Sequence, residues 1–470
     1  MKQKYLDLLS QIPDYPSFLT LEELDASSFR LAQAHPDLAS VFSIGQTKDG
    51  RELYCLKIGN GSKNALMFGC PHPNEPIGTM MLEYLTEQLV TDSELRQSLD
   101  YTWYIVKAWD ADGLKKNERW LKGPYDIFHY SRYFFRPAGH QQVDWTFPVD
   151  YKELHFHDSI PETKAMMQLI DRIQPHFIYS LHNAGFGGAY WYISAGLDPL
   201  YDAMRYAAHR VDVPLHLGEP EVPWCVEFSP AIYQSLGIEQ DYDYLEKYGE
   251  KNIPEIINVG NCSESYARER YGSFTLLTEL PYFYDRRIRD NSPGTKLRKD
   301  CVIDRLDRLL IHDNRVKSVL SRVKDIVHER NQYRLALEAF TKNSENKGIR
   351  QMAMTEPEYN RLATVAEEFD SELISRFYSL LSLGMLIGMC EHELESRSDL
   401  GEKSRGVLQS IIEEMETIHK EETAYLSDQL NYEVIPIRKL VSIQLECGLL
   451  VADYLQNRPP LAGGSHDTTR

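Results

Sequence analysis

Four side chains in this sequence have the types and spacing to do chemistry together. His72 and Glu75 stand three apart in the stretch Cys70 to Pro76 (CPHPNEP), directly after the apolar run ALMFG. On a tight turn that spacing lets an imidazole nitrogen and a carboxylate oxygen reach one Zn²⁺. His182 ends a second apolar run, HFIYSL, and the glycines of the following NAGFGGA let backbone approach a ligand closely. Glu279 lies in a third run, FTLLTEL, where a carboxylate is costly unless it is paired, ligated or catalytic. The pattern is two histidines and one carboxylate for a metal, with a second carboxylate free to act as a base.

The surrounding elements are those of an α/β protein. Strands are expected over 52–59, 65–70, 102–109, 176–181, 190–194 and 274–280, and helices over 76–89, 161–173 and roughly 199–211. Near-continuous apolar strands alternating with helices imply a mixed, largely parallel sheet covered on both faces. The candidate ligands then fall at the C-terminal edge of that sheet, where such folds place their sites. Pro76 suits the first turn of a helix, because its missing N–H is not needed there. Beyond about residue 290 the texture changes to helical stripes: Val316, Val319, Leu320, Val323 and Val327; Leu362, Val365, Phe369, Leu373, Phe377 and Leu380; Val407, Leu408, Ile411, Met415 and Ile418. The expected organisation is a catalytic domain over 1–290, an all-helical accessory domain over 300–458 and a flexible tail over 459–470. The accessory helices read as a bundle or a surface for homo-oligomer formation.

In order and flanking text, His72, Glu75, His182 and Glu279 resemble the zinc metallocarboxypeptidases of the carboxypeptidase A type. The stretch FSIGQTKDGRELYCLKIGNG resembles the family's approach to its first ligand, DADG (110–113) its Asn-Pro-Asp-Gly turn, and PETKAMMQLI the helix before its third ligand. The resemblance covers roughly the first 290 residues. It implies one Zn²⁺ per chain held by His72, Glu75 and His182, with Glu279 as general base and acid. It also implies an arginine for the developing oxyanion, for which NERWLKG offers Arg119, and a tyrosine over the substrate, for which Tyr266 and Tyr271 are candidates. The family's Asn-Arg clamp for a substrate carboxylate is missing, since the corresponding segment reads VDWTFP (143–148). Arg136 is the candidate replacement, because two-pronged carboxylate recognition needs a guanidinium but no particular backbone position. His155 and His157 would point to one face of a strand, but their polar surroundings favour exposed loop residues, and His140 likewise reads as loop.

The expected activity is zinc-dependent hydrolysis of a peptide or peptide-like amide bond. Two other readings compete. His-Pro-Asn-Glu is also similar to the His-Gly-Asn-Glu turn of aspartoacylase and desuccinylase relatives, which implies an N-acyl amino acid amidohydrolase. An inactive zinc-bearing binding protein is the other, and Glu279 speaks against it, because a structural zinc site has no use for a base. The chain has 470 residues with 51 Lys+Arg against 70 Asp+Glu, a formal charge of −19. A polyanion is repelled by such a surface, so no nucleic-acid partner is expected. The longest apolar stretch, LLSLGMLIGMC, is about half the roughly 20 residues of a membrane span. The charged N-terminal sequence has no apolar signal region, and the seven cysteines form no close pair, so a cytoplasmic, membrane-free protein with reduced thiols is expected.

Overall fold

The computed structural model describes residues 2–461. Nine strands form the main sheet: β1 (Ala39–Gln46), β2 (Glu52–Ile58), β3 (Lys63–Gly69), β4 (Tyr101–Val106), β5 (Phe177–His182), β6 (Tyr190–Ile193), β7 (Glu227–Ser229), β8 (Ile232–Gln234) and β9 (Phe274–Glu279). Their order is β1-β2-β4-β3-β5-β9-β6-β8-β7. The four central strands β4, β3, β5 and β9 run parallel, and antiparallel strands extend the sheet on either side. The apolar runs of the sequence become these central strands because both of their faces are covered. The expected strands and helices of the first 290 residues all form, with ends shifted by at most three residues. The strands at the far edge were not anticipated, since β7 and β8 have three residues each and show no usable alternation.

Helix α1 (Ile77–Thr91) starts from the candidate ligand turn, with Pro76 at its N-cap and not inside it. Helix α2 (Pro161–Ile173) packs on the opposite face of the sheet. The later part of the chain folds as α3 (Arg298–Val323), α4 (Gln332–Phe340), α5 (Lys347–Thr355), α6 (Val365–Ser396), α7 (Glu402–Gln429) and α8 (Ile437–Leu455).

These helices do not stand apart from the sheet. One contiguous apolar core runs from Tyr5 through the strands to Leu455. The 19-residue α8 lies along β5: Tyr179 donates to the Gln444 carbonyl at 2.8 Å, and the Gln444 amide donates to the His182 carbonyl at 3.4 Å. Two short ribbons stitch the regions together, Phe283–Tyr284 with Glu433–Val434 and Pro293–Leu297 with Leu362–Thr364. The sequence reading of a separate accessory domain from residue 300 thus marks a change of texture, while burial is shared across it. Of the helical stripes, the first is buried throughout, whereas Leu362 of the second is exposed in its ribbon. Among the described residues, α6 alone is long and apolar enough to cross a membrane, but 67% of its apolar window is buried inside the fold. The tail expected over 459–470 lies outside the described residues except for 459–461.

Candidate metal centre

The C-terminal ends of three neighbouring strands carry the centre. β3 ends at Gly69, and the chain turns through Cys70, whose φ of +54° reverses its direction. The turn closes with Glu75 N–H donating to the His72 carbonyl at 3.0 Å, which brings both side chains over the sheet edge. β5 and β9 run in parallel register with His182 beside Glu279, so two residues 97 positions apart in the chain become neighbours across one ladder. The Asp-Ala-Asp-Gly turn supports them from below. Asp110 caps the helix Ala111–Leu121 by accepting from Gly113 N–H at 2.8 Å, and a Cβ on Gly113 would meet Pro73 at 2.5 Å. Only glycine there lets the ligand turn sit down on this helix.

His72, Glu75 and His182 are all buried, and one ligand atom from each lies within 4.8 Å of the other two. His182 Nδ1 is 3.1 Å from Glu75 Oε2 and 3.7 Å from Glu279 Oε1, while its Nε2 is 2.7 Å from Ser180 Oγ. The hydroxyl therefore fixes the ring and leaves Nδ1 facing the carboxylates. His72 Nδ1 is sealed from solvent with no hydrogen-bond partner. Burial above all, and then the nearby Arg136 guanidinium, holds His72 well below the ordinary imidazole range. Two neutral-capable imidazoles and a carboxylate, converging with an orphan nitrogen, are the donor set that a divalent zinc takes. Glu279 stands off from this trio, and burial and the neighbouring Glu75 push its carboxyl well above the usual carboxylate range.

More than half of the chain, residues 26–282, matches the family model described as zinc carboxypeptidase. The chain belongs to the zinc carboxypeptidase family. Human carboxypeptidase A6 is 32% identical over 108 residues, which make up 21% of this chain and 25% of that protein. Carboxypeptidase D of Anas platyrhynchos is 21% identical over 282 residues, 55% of this chain and 19% of that protein. The chain thus spans about a quarter or less of these curated relatives. Among solved structures, carboxypeptidase A from Helicoverpa armigera aligns over 60% of this chain and 72% of that chain, at 17% identity and a TM-score of 0.38.

The three candidate ligands, His72, Glu75 and His182, all lie within the matched residues 26–282, but the structure redistributes the other candidates. Arg136 is at the centre: its Nη1 donates to Glu75 Oε1 at 3.3 Å, its Nε donates to Gln142 Oε1 at 3.2 Å, and its guanidinium packs 5.3 Å from the Trp145 ring. Arg119 is not. It lies on the outer side of the helix Ala111–Leu121, 57% exposed, where it pairs with Glu391 of α6 at 3.2 Å and stacks over Tyr133. One arginine after the turn looked like another in the sequence, and helical phase decides that Arg119 faces outward. Tyr266 and Tyr271 are also elsewhere, both donating to Asp171 of α2 across the far face of the sheet. Their helix, Ser263–Tyr271, presents Ser263 and Glu264 to the centre instead. His155 and His157 are exposed and share Asp150 as a partner.

A cavity of about 830 Å³ opens above the four residues. Arg136, Tyr130 and Phe134 reach it from the segment after Leu121. The opposite wall comes from the helices, through residues that the sequence did not single out: Arg305 and Leu309 of α3, Phe340 of α4, Ile349 of α5, and Tyr378 and Met385 of α6. A five-residue π turn, Asp370–Ile374, inside α6 turns Asp370 and Ile374 towards this cavity. Tyr378, a hydroxyl within the apolar text RFYSLLSLGM, was a weak signal; its oxygen accepts from Gly185 N–H at 3.2 Å, just past the third ligand.

Proposed function

We propose that this protein is a zinc-dependent peptidase that hydrolyses a peptide or peptide-like amide bond, with one Zn²⁺ per chain. The observation that carries the reading is the convergence of buried His72, Glu75 and His182 within 4.8 Å, with Glu279 next to His182 and outside the trio. A zinc ion held there would supply Lewis acidity to the scissile carbonyl and acidify water. Glu279 takes a proton from the attacking water and delivers it to the departing amine; it is within reach of both because it lines the same cavity floor. Arg136, tethered by Gln142 and Glu75, supplies positive charge where the carbonyl oxygen becomes negative, the role that the sequence offered to Arg119. Family membership over residues 26–282 supports this reading above an N-acyl amino acid amidohydrolase and above an inactive binding protein. Seven free cysteines support a reducing setting, and we place the protein in the cytoplasm on that basis.

The test is metal analysis combined with a peptide screen of the wild type, Glu279→Gln and His182→Ala. Glu279→Gln is expected to keep its zinc and lose roughly 100- to 10,000-fold in kcat. His182→Ala is expected to lose zinc itself. Hydrolysis untouched by Glu279→Gln would remove that residue as base, and turnover confined to N-acyl amino acids would favour the amidohydrolase.

A further inference from the structure

We propose that Arg308 of α3 and Arg376 of α6 form a second binding site, outside the metal cavity, for the phosphate group of a small molecule. Both lie in the part of the chain beyond the family match, and neither is among the residues that line the cavity above His72, Glu75 and His182. Arg308 follows Arg305 by one turn of α3, and Arg376 comes directly after the π turn Asp370–Ile374. Helix α3 packs on α6 and on the π turn itself. The two elements are joined where Arg308 Nη2 donates to the Ser371 carbonyl at 2.6 Å. That bond uses one prong of the fork. Arg308 Nε is sealed from solvent without a partner, and so is Arg376 Nε. Arg376 Nη1 comes no nearer than 3.9 Å to Glu422, too far for a hydrogen bond, and its guanidinium packs 5.1 Å from the Tyr425 ring. Ser371, the residue that Arg308 grips, also carries a buried hydroxyl with no partner. Buried donors are normally satisfied, so several orphans on one small patch need an explanation.

The charge is not balanced from within the chain. Burial, and after it the like charge of Arg376, hold the Arg308 guanidinium below its usual range, although Glu372 and Asp304 pull the other way. Asp304 stands four residues before Arg308, the spacing of a helical ion pair, yet among the described residues neither Arg308 nor Arg305 is ion-paired. Glu372 is exposed, with Lys296 3.8 Å away. Two forks that repel each other and keep donors to spare are satisfied together by an anion between them. A flat carboxylate matches one fork, whereas the oxygens of a tetrahedral phosphate lie in more than one plane and accept from two. Both arginines are only half-buried, so a solvent anion can reach them. On a chain of formal charge −19 such a local excess suits a small ligand and not a polyanion. The phosphate could be free or carried by an organic molecule, and two probes separate these sources.

The full-length protein, in phosphate-free buffer at fixed ionic strength, is titrated calorimetrically with orthophosphate and with glycerol 3-phosphate. One anion per chain is expected at this site, with a dissociation constant of about 1 mM or tighter for at least one probe, and the tighter probe identifies the source. Arg376→Gln should weaken that binding roughly 10- to 100-fold, and Arg308→Gln by a similar factor. Arg376→Lys, which keeps the charge but not the fork, should restore part of it. Arg308→Gln also removes the bond to Ser371, so Arg376→Gln, which leaves that bond in place, decides the case if the Arg308 variant does not fold. Absence of binding by both probes overturns the proposal, and so does binding that Arg376→Gln leaves intact. Binding that vanishes on chelation of zinc and ignores Arg376→Gln would put the phosphate on the metal, which also overturns it. None of these readouts depends on peptide hydrolysis, so the anion site and the peptidase reading stand or fall separately.

Discussion

The two regions of this chain differ in almost every property that a sequence displays. Before residue 290 there are strands, loops and all four residues of the proposed chemistry; after it come helices with apolar stripes and no recognisable motif. Yet both bury side chains in one core, and the cavity above the candidate centre takes one wall from each. The difference teaches that chemistry and enclosure can be divided along a chain. The strand ends bring the candidate ligands within 4.8 Å of one another, and the helices line the far side of the cavity above them. If the regions were independent, changes at their contacts would leave the sheet alone.

The sharpest way to break the comparison is Arg298→Ala. Arg298 begins the helical region and is buried against Glu219 of the first, with Glu367 close by. Its removal leaves the buried Glu219 carboxylate without its cation, while Glu367 keeps Arg361, and we expect a loss of about 3–5 kcal/mol of stability in urea unfolding, within a single transition. Two transitions, with the sheet region unaffected, would show separate domains. Next, Arg136→Ala is expected to lower kcat by about 100- to 1,000-fold with zinc content unchanged, as removal of an oxyanion donor does. Loss of zinc in that variant would mean that Arg136 serves Glu75 and not the substrate.

Gly448→Leu probes the contact from the helical side. A Cβ there already meets Tyr179 of β5 at 2.6 Å, so overpacking should cost about 1–3 kcal/mol and lower zinc retention through β5, measured by thermal unfolding and metal analysis. Unchanged zinc affinity would show that α8 supports the sheet without aligning His182. The smallest effect belongs to Arg119→Ala. Its exposed pair with Glu391 is worth at most about 1 kcal/mol, and activity on the best peptide should stay within twofold. A large loss of activity would return Arg119 to the site.

The sequence by itself determined the sheet's central strands, the ligand turn and the four residues of the proposed centre. Each of these carries a local signature: an apolar run, a turn, or a polar residue where apolar ones are expected. His182 and Glu279 were legible for that reason, even though only parallel register between β5 and β9 makes them neighbours. The tertiary structure alone decided which arginine enters the cavity, because Arg119 and Arg136 differ in direction and not in type. It also decided that Tyr266 and Tyr271 turn to Asp171, and that Arg305, Tyr378 and the π turn close the far wall. Direction depends on helical phase and on packing between residues hundreds of positions apart, and neither is written in the spacing of neighbours along the chain.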